Sequence, residues 1–328
     1  MEKREHLNVI IRPACETDTP GVMELSSQIW DGEDYVPYVW SEWLSDPQGM
    51  LVVADHESRV IGLGKLTRLS EEDWWLEGLR VHPEFEGRGI ASKIHEYLMN
   101  TWIQIGRGSV RLGTASFRLP VHHLCDRLGF KKIIEFTPFV APTLSIQFSA
   151  SDSDSRESTV ADQLAPGKFE KEVPPHGSPA PVVFKLVTFR EITEATTFAL
   201  QSPSLALSSG LMDLGWQWAP PREVYLARMI EDRKAWWWQE RRGLLALDEE
   251  KGSKNEPASM IMLLACSRED VVDLLSDYRR LAASLGYQRA AWMAPLHPDL
   301  LPALQTASFE RDWDASIFIY SRPWLSRP

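Results

Sequence analysis

Between His82 and Ser92 the chain reads H-P-E-F-E-G-R-G-I-A-S, the stretch best suited to hold a charged ligand. Glycines at 87 and 89 remove side chains, so backbone N–H groups can approach a ligand closely. An apolar helix follows, and its start adds unpaired N–H donors and the positive end of a dipole. Together these suit a pyrophosphate, with Arg88 as a nearby positive charge. A plain tight turn between strand and helix fits the same glycines. The loop lacks the G-K-[ST] ending of a P-loop and the G-x-G-x-x-G of a dinucleotide site. On the strand entering the loop, Glu77 lies beside Trp75, Leu76 and Leu79. Partial burial there would raise its pKa and suit it to general-base work. A strand Glu paired with a cation, or exposed at a sheet edge, is the alternative.

These residues need elements to position them. The first half alternates strand and helix patterns. Val9 to Arg12, Met50 to Ala54, Val60 to Thr67, Trp74 to Val81, Ser109 to Thr114 and Lys131 to Phe136 read as strands, with a further strand from Thr143 to Phe148. Asp18 to Ile29, Trp40 to Leu44, Ala91 to Ile105 and Pro120 to Leu128 read as helices, the last ended by Gly129. Residues 150–182 are rich in Ser, Asp and Pro and read as a linker or mobile loop. Beyond it the order recurs: a helical stretch from Phe189 to Leu207, a hairpin from Arg242 to Ala265, a helix to Leu285, then Gln288 to Met293, Pro298 to Thr306 and Ser316 to Tyr320. The match of G-R-G-S-V-R-L-G-T…L-G-F with G-Y-Q-R-A-A-W-M-A…A-S-F indicates a duplicated unit. The second copy lacks the glycine pair, so no second pyrophosphate site is expected there.

The 328 residues suit two domains better than one. A net charge of −11 argues against a general nucleic-acid binder. Cys15, Cys125 and Cys266 are far apart and show no zinc spacing or disulfide framework. No metal constellation stands out; His82, His122 and His123 read as surface or capping residues. The N-terminal residues show no secretory signal, and no apolar run is long enough to span a membrane. A cytoplasmic protein, monomer or homodimer, is expected, with no nucleic-acid or membrane partner. The Trp216/Trp218 pair and the Trp236–Trp238 run suit core packing, a pocket wall or an interface.

The segment L-E-G-L-R-V-H-P-E-F-E-G-R-G-I-A-S-K-I, followed by L-G-T-A-S-F-R-L-P-V-H-H-L-C-D-R-L-G-F, resembles the GNAT-family N-acetyltransferases over about residues 8 to 148. The resemblance implies an α/β (α+β) fold: a mixed, mostly antiparallel sheet flanked by helices, followed by a second, degenerate GNAT-like domain. The implied domains are 1–149 (catalytic), 150–182 (linker) and 183–328 (degenerate). It implies acetyl-CoA as co-substrate, with no metal, and an amine acceptor. The family signature [QR]-x-x-G-x-[GA] falls on Glu86, Gly87, Arg88, Gly89, Ile90 and Ala91, with Glu where the family has Gln or Arg. Together with Ser92 these would bind the cofactor's phosphates, and the backbone of Leu79 and Val81 would hold its pantetheine arm. The family often places a Glu base near Glu77. The position of its usual Tyr acid is Cys125 here: a thiol proton donor or a buried small residue, while coenzyme A could also leave unaided. The acidic turn Asp31, Glu33, Asp34 and Tyr35 would border the acceptor, with Asp34 and Tyr35 in contact with it; a solvated acidic turn is the alternative. A narrower resemblance, through I-W-D-G-E-D-Y-V-P and L-G-W-Q-W-A-P-P-R, is to the vertebrate histidine N-acetyltransferases and implies a free amino acid or similar small amine. Acetylation of a protein N-terminus or lysine, or a coenzyme A-binding protein without catalysis, are the alternatives.

Overall fold

The computed structural model describes residues 7–144, 183–251 and 257–324. The expected linker and most of the expected strand from Thr143 to Phe148 lie outside these residues. The strands of the first half are β1 (Ile10–Pro13), β2 (Met50–His56), β3 (Arg59–Arg68), β4 (Asp73–Val81), β5 (Ser109–Ala115) and β6 (Lys131–Pro142). Its helices are α1 (Thr19–Ser27), α2 (Val36–Ser45), α3 (Ile90–Ile105) and α4 (Leu119–Arg127). Then come β7 (Phe184–Leu186), α5 (Ile192–Gln201), α6 (Pro203–Ala206), β8 (Met212–Asp213), β9 (Trp218–Ala219) and α7 (Glu223–Glu231). The chain continues through β10 (Ala235–Trp238), β11 (Gly243–Lys251), β12 (Pro257–Cys266), α8 (Val271–Ser284), β13 (Arg289–Pro295), α9 (Leu301–Thr306), β14 (Glu310–Arg311) and β15 (Ile317–Pro323).

Contacts divide the chain into two compact units. The first comprises Met1–Thr137, Asp213–Ala219 and Asp314–Pro328; the second comprises Pro138–Met212 and Pro220–Trp313. The grouping is therefore not a single cut at the linker, because two late segments belong with the first half.

In the first unit the strand order is β1-β2-β3-β4-β5-β15-β6. The pairs are antiparallel except β4 with β5. Side chains along β2 alternate between two cores, as a period of two requires. Val52 and Ala54 pack with α3, while Leu51 and Val53 pack with α1 and α2. Helix α3 buries Ile90, Ile94, Leu98, Met99 and Trp102, a stripe at helical spacing. Strand β15 pairs with β5 from Ile317↔Ala115 to Pro323↔Ser109. A strand here was readable in sequence, but a strand's own residues do not name its neighbours.

The second unit has its own core, built on Trp238, Ile261, Leu274, Leu275, Tyr278 and Leu281. Strands β12 and β13 pair in parallel only from Ala258↔Arg289 to Ile261↔Trp292. Past that point the β12 backbone is bonded by side chains. Cys266 N–H donates to Ser204 Oγ at 2.9 Å, and Ser202 Oγ donates to the Cys266 carbonyl at 2.9 Å. Ser204 Oγ also donates to the Leu264 carbonyl at 3.3 Å. Both serines are buried, so these hydroxyls satisfy backbone groups that would otherwise need water or a ligand. The Trp236–Trp238 run is the buried strand β10, a packing role. Among the described residues, no helix is long and apolar enough to cross a membrane.

Candidate active site

The site of the first unit begins where β4 and β5 part. Their pairing runs only from Asp73↔Ser109 to Trp75↔Arg111, although β4 continues to Val81 and β5 to Ala115. The closed end is fixed by a buried ion pair, Arg111 Nη1 to Asp73 Oδ1 at 2.9 Å. Beyond it β4 bulges. Its register with β3 goes from Lys65↔Glu77 to Leu63↔Arg80, so β4 carries one extra residue. Gly78 takes up the bulge at φ +66°. A Cβ there would lie 2.5 Å from the Trp43 ring, so both conformation and space require glycine. The bulge and the parting leave a cleft beside β4. Leu79 and Val81 line this part of the strand, half-buried against the α3 core.

The loop after β4 opens to solvent. His82 Nδ1 accepts from Glu84 N–H at 3.3 Å, capping one helical turn. Glu86, Gly87, Arg88 and Gly89 are all exposed. Gly87 and Gly89 have φ of +73° and +79°, and a Cβ on either would meet nothing within 4 Å. Packing therefore does not demand these glycines; left-handed backbone facing open space does. Helix α3 starts at Ile90 with no side-chain cap from Gly89. The first N–H groups of a helix lack intrahelical acceptors, the arrangement that receives phosphate. Ala91 and Ser92 are half-buried in this first turn, and Arg127 Nη2 donates to Ser92 Oγ at 2.9 Å. Arg88 lies 5.5 Å from the Phe85 ring centre. These residues fit a coenzyme A pyrophosphate, with the cleft beside β4 for its arm. The aligned Glu86 carboxylate is exposed rather than turned into the fold.

Glu77 stands next to the bulge and is half-buried. Gln217 Nε2 donates to both its oxygens, at 3.1 Å each, and Thr67 Oγ1 donates to Oε1. Burial pushes the carboxyl above its usual range, while these donors and the charge of Lys65 oppose that rise. Lys65 is itself buried and donates to Asp46 Oδ2 at 2.5 Å.

Two expected site residues have other duties. The Asp34 carboxylate is fully buried and bonded to Arg80, with Nη2 to Oδ1 at 2.8 Å and Nε to both oxygens at 3.2 Å. It is therefore not free to grip a cationic acceptor; it fixes the acidic turn to β4. Cys125 has no exposed surface and sits in the apolar core with Trp74, Leu112 and Phe130. Burial pushes its thiol up to about 12. The family's Tyr position thus holds a packed thiol here rather than an accessible proton donor.

Tyr35 does reach the site. Its ring meets Trp43 edge-on at 6.0 Å, and it remains 40% exposed. Burial raises its hydroxyl, and the charge of Glu77 adds to that, against the lowering effect of Arg80. The Arg80 guanidinium lies 4.3 Å from the Trp30 ring centre and 5.1 Å from that of Tyr35.

Sequence reasoning missed Arg80, Thr67 and Gln217. Nothing local marks the first two as partners of Asp34 and Glu77. Gln217 had a signal, since it lies in the L-G-W-Q-W-A-P-P-R segment that carried the narrower resemblance. A pair formed by Tyr320 and His122 was also missed. Tyr320 Oη lies 3.0 Å from His122 Nδ1, and His122 Nε2 lies 3.1 Å from the Ser116 carbonyl. That carbonyl can only accept, so Nε2 carries a proton and Nδ1 of the neutral ring accepts from the phenol.

The profile of the Acetyltransferase (GNAT) family matches residues 19–130, which span the acidic turn, the bulge, the loop and α4. Over these residues the chain is similar to the GNAT family. Histidine N-acetyltransferase of Oreochromis niloticus is 34% identical over 79 residues, which are 24% of this chain and 23% of that protein. The Xenopus tropicalis protein of the same name is 27% identical over 149 residues, 45% of this chain and 44% of that one. The chain thus spans less than half the length of either relative. A tandem GNAT protein from the clavulanic acid biosynthesis pathway superposes with a TM-score of 0.54 at 12% identity, covering 98% of this chain and all (100%) of that one. A GCN5-related N-acetyltransferase from Sphaerobacter thermophilus gives 0.57 at 13%, covering 98% and 96%. At such identities the likeness is of fold. It shows a GNAT-like sheet fold accompanied by a second, GNAT-like unit. Among the described residues, no group of three or more His, Cys, Asp or Glu could hold a metal ion.

Proposed function

We propose that the chain is an acetyl-CoA-dependent N-acetyltransferase acting on the amine of a small molecule, with a free amino acid such as histidine as the first candidate. The observation that carries this reading is a half-buried carboxylate, Glu77, at the bulge of a strand that opens into an anion-binding loop. The N–H groups of Gly87 to Ala91 and the start of α3 would hold the phosphates, with Glu86, Arg88, Ile90 and Ser92 around them. The β4 backbone at Leu79 and Val81 would hold the pantetheine arm. When bound, acetyl-CoA supplies an acetyl thioester as the electrophile.

Glu77 does the proton work. An alkylammonium has no lone pair, so one N–H proton must leave nitrogen before it can act as a nucleophile. A Glu77 oxygen takes that proton, and the nitrogen keeps the electron pair. Burial brings the carboxyl's affinity for a proton closer to the amine's. Tyr35, exposed beside Glu77 and Arg80, would line the acceptor. Asp34 acts through Arg80, fixing the Tyr35 turn. Cys125 takes no step, and the departing thiolate gains its proton from water. The relatives named histidine N-acetyltransferase support a free amino acid as acceptor. The three free cysteines suit a cytoplasmic setting.

The test is coenzyme A release from acetyl-CoA with free amino acids, polyamines, and peptides bearing a free N-terminus or a lysine. Release with at least one small amine supports the reading. Release only with peptides would transfer it to protein acetylation, and tight acetyl-CoA binding without turnover on any acceptor would make the chain a coenzyme A-binding protein.

A further inference from the structure

The segment 213–219 comes from far along the chain, yet it belongs to the first unit. It is a small hairpin, β8 and β9, closed by a tight turn. Asp213 Oδ1 accepts from the N–H groups of Gly215 and Trp216, both at 2.8 Å, and Leu214 N–H donates to the Gln217 carbonyl at 2.7 Å. Trp218 anchors it: this ring is 1% exposed, stacks on Phe136 at 5.3 Å and lies 5.9 Å from Trp75. Beside the anchor, Gln217 meets Glu77.

We propose that Gln217 is a positioning residue for Glu77: its NH2 group holds both carboxylate oxygens in one direction, and its side-chain carbonyl receives an N–H of the incoming amine. The inference rests on Glu77 being the base of the proposed acetyl transfer. Only the NH2 end of the amide can face an ionised carboxylate, which accepts and does not donate. That orientation turns Oε1 away from Glu77, and among the described residues no donor is bonded to it. A primary amine has more than one N–H. One could go to Glu77 and another to Gln217, so that the lone pair develops in a fixed direction. The same hairpin puts Trp216, 47% exposed, next to Trp218 as an apolar neighbour for the acceptor's body.

The arrangement has an electrostatic consequence. Glu77 faces Lys65 from β3, Glu42 from α2, and Tyr35, with Thr67 as a second neutral donor. Gln217 is the neutral donor that touches both oxygens. Its loss leaves burial and Glu42 less opposed, so the carboxyl should titrate at higher pH.

Gln217→Leu keeps the size and removes the amide; Gln217→Ala guards against a misfit of the leucine. For each, kcat/KM for the amine is measured from pH 5.5 to 9, with KM for acetyl-CoA as a check that the first unit is intact. The expected result is an acid limb moved up by roughly one unit, a tenfold loss below it, and a smaller loss at high pH. KM for the amine should rise more than KM for acetyl-CoA. A uniform loss at every pH, or an unmoved limb, in variants that keep their acetyl-CoA KM would overturn the role of Gln217 while leaving the acetyltransferase reading intact. Full activity in Glu77→Gln, measured alongside, would instead remove Glu77 as the base, and this inference with it.

Discussion

Asp34 and Arg80 lie 46 residues apart and meet as a buried ion pair held through three hydrogen bonds. The pair joins the acidic turn before α2 to the strand that carries Glu77. Removing one partner leaves a buried charge unmatched, which typically costs about 3–5 kcal/mol. Asp34→Leu should therefore destabilise the first unit by about that much, and Asp34→Leu with Arg80→Met should recover more than half of the loss. A urea-unfolding double-mutant cycle measures both. Additive losses would show that the two side chains do not act as a pair.

His95 lies on α3 at 4% exposure, and among the described residues its Nδ1 has no hydrogen-bond partner. Burial lowers its pKa from 6.5 to about 4. The folded state then binds fewer protons than the unfolded chain between these values. The stabilising effect of the neutral buried ring is complete above pH 6.5 and is lost as pH falls toward 4. The loss should reach about 3 kcal/mol across that window. His95→Leu should remove most of this pH dependence, and stability curves at pH 7.5, 5.5 and 4.5 would show it. An equal acid sensitivity in the variant would assign it to other groups.

Gly89 sits at φ +79° with open space on its Cβ side. Gly89→Ala should cost the fold about 1 kcal/mol, from the left-handed backbone alone. Its effect on acetyl-CoA should be larger, because the methyl group enters the space expected to hold phosphate; a Kd raised tenfold or more is expected by calorimetry. Gly78→Ala provides the contrast, since its Cβ meets the Trp43 ring and its damage should appear first as lost stability.

Stoichiometry separates the two units. In the second, Ser202 and Ser204 already bond the β12 backbone past its last pair with β13. Acetyl-CoA titrated into the full chain should saturate at one molecule per chain. Two molecules per chain would mean that these serines yield to the ligand.

Much of the first unit is legible in the sequence because its signals are local. The apolar runs of β2 and β3, the stripe on α3 and the glycines at 87, 89 and 129 each act within a few residues of themselves. The loop and Glu77 could be picked out for the same reason. What was illegible depends on distant partners. Asp34 looked like an acceptor ligand because its charge is visible in the sequence and Arg80's claim on it is not. Cys125 could be aligned with a Tyr position, but its enclosure depends on Trp74 of β4, Leu112 of β5 and Phe130 of the loop before β6. Strand β15 and Gln217 are the extreme cases. Both lie in the second half of the chain and belong to the first unit by contact.

The most direct test of the central claim is the pH dependence of amine-dependent coenzyme A release in the wild type and in Glu77→Gln. The wild-type rate should rise with pH through a value above the usual carboxylate range, because burial raises Glu77 and only its ionised form can take the ammonium proton. The variant should lose at least about a hundredfold in kcat, with acetyl-CoA affinity unchanged. A variant that keeps the wild-type rate and the same acid limb would contradict the account, and the base would have to be sought elsewhere around the cleft.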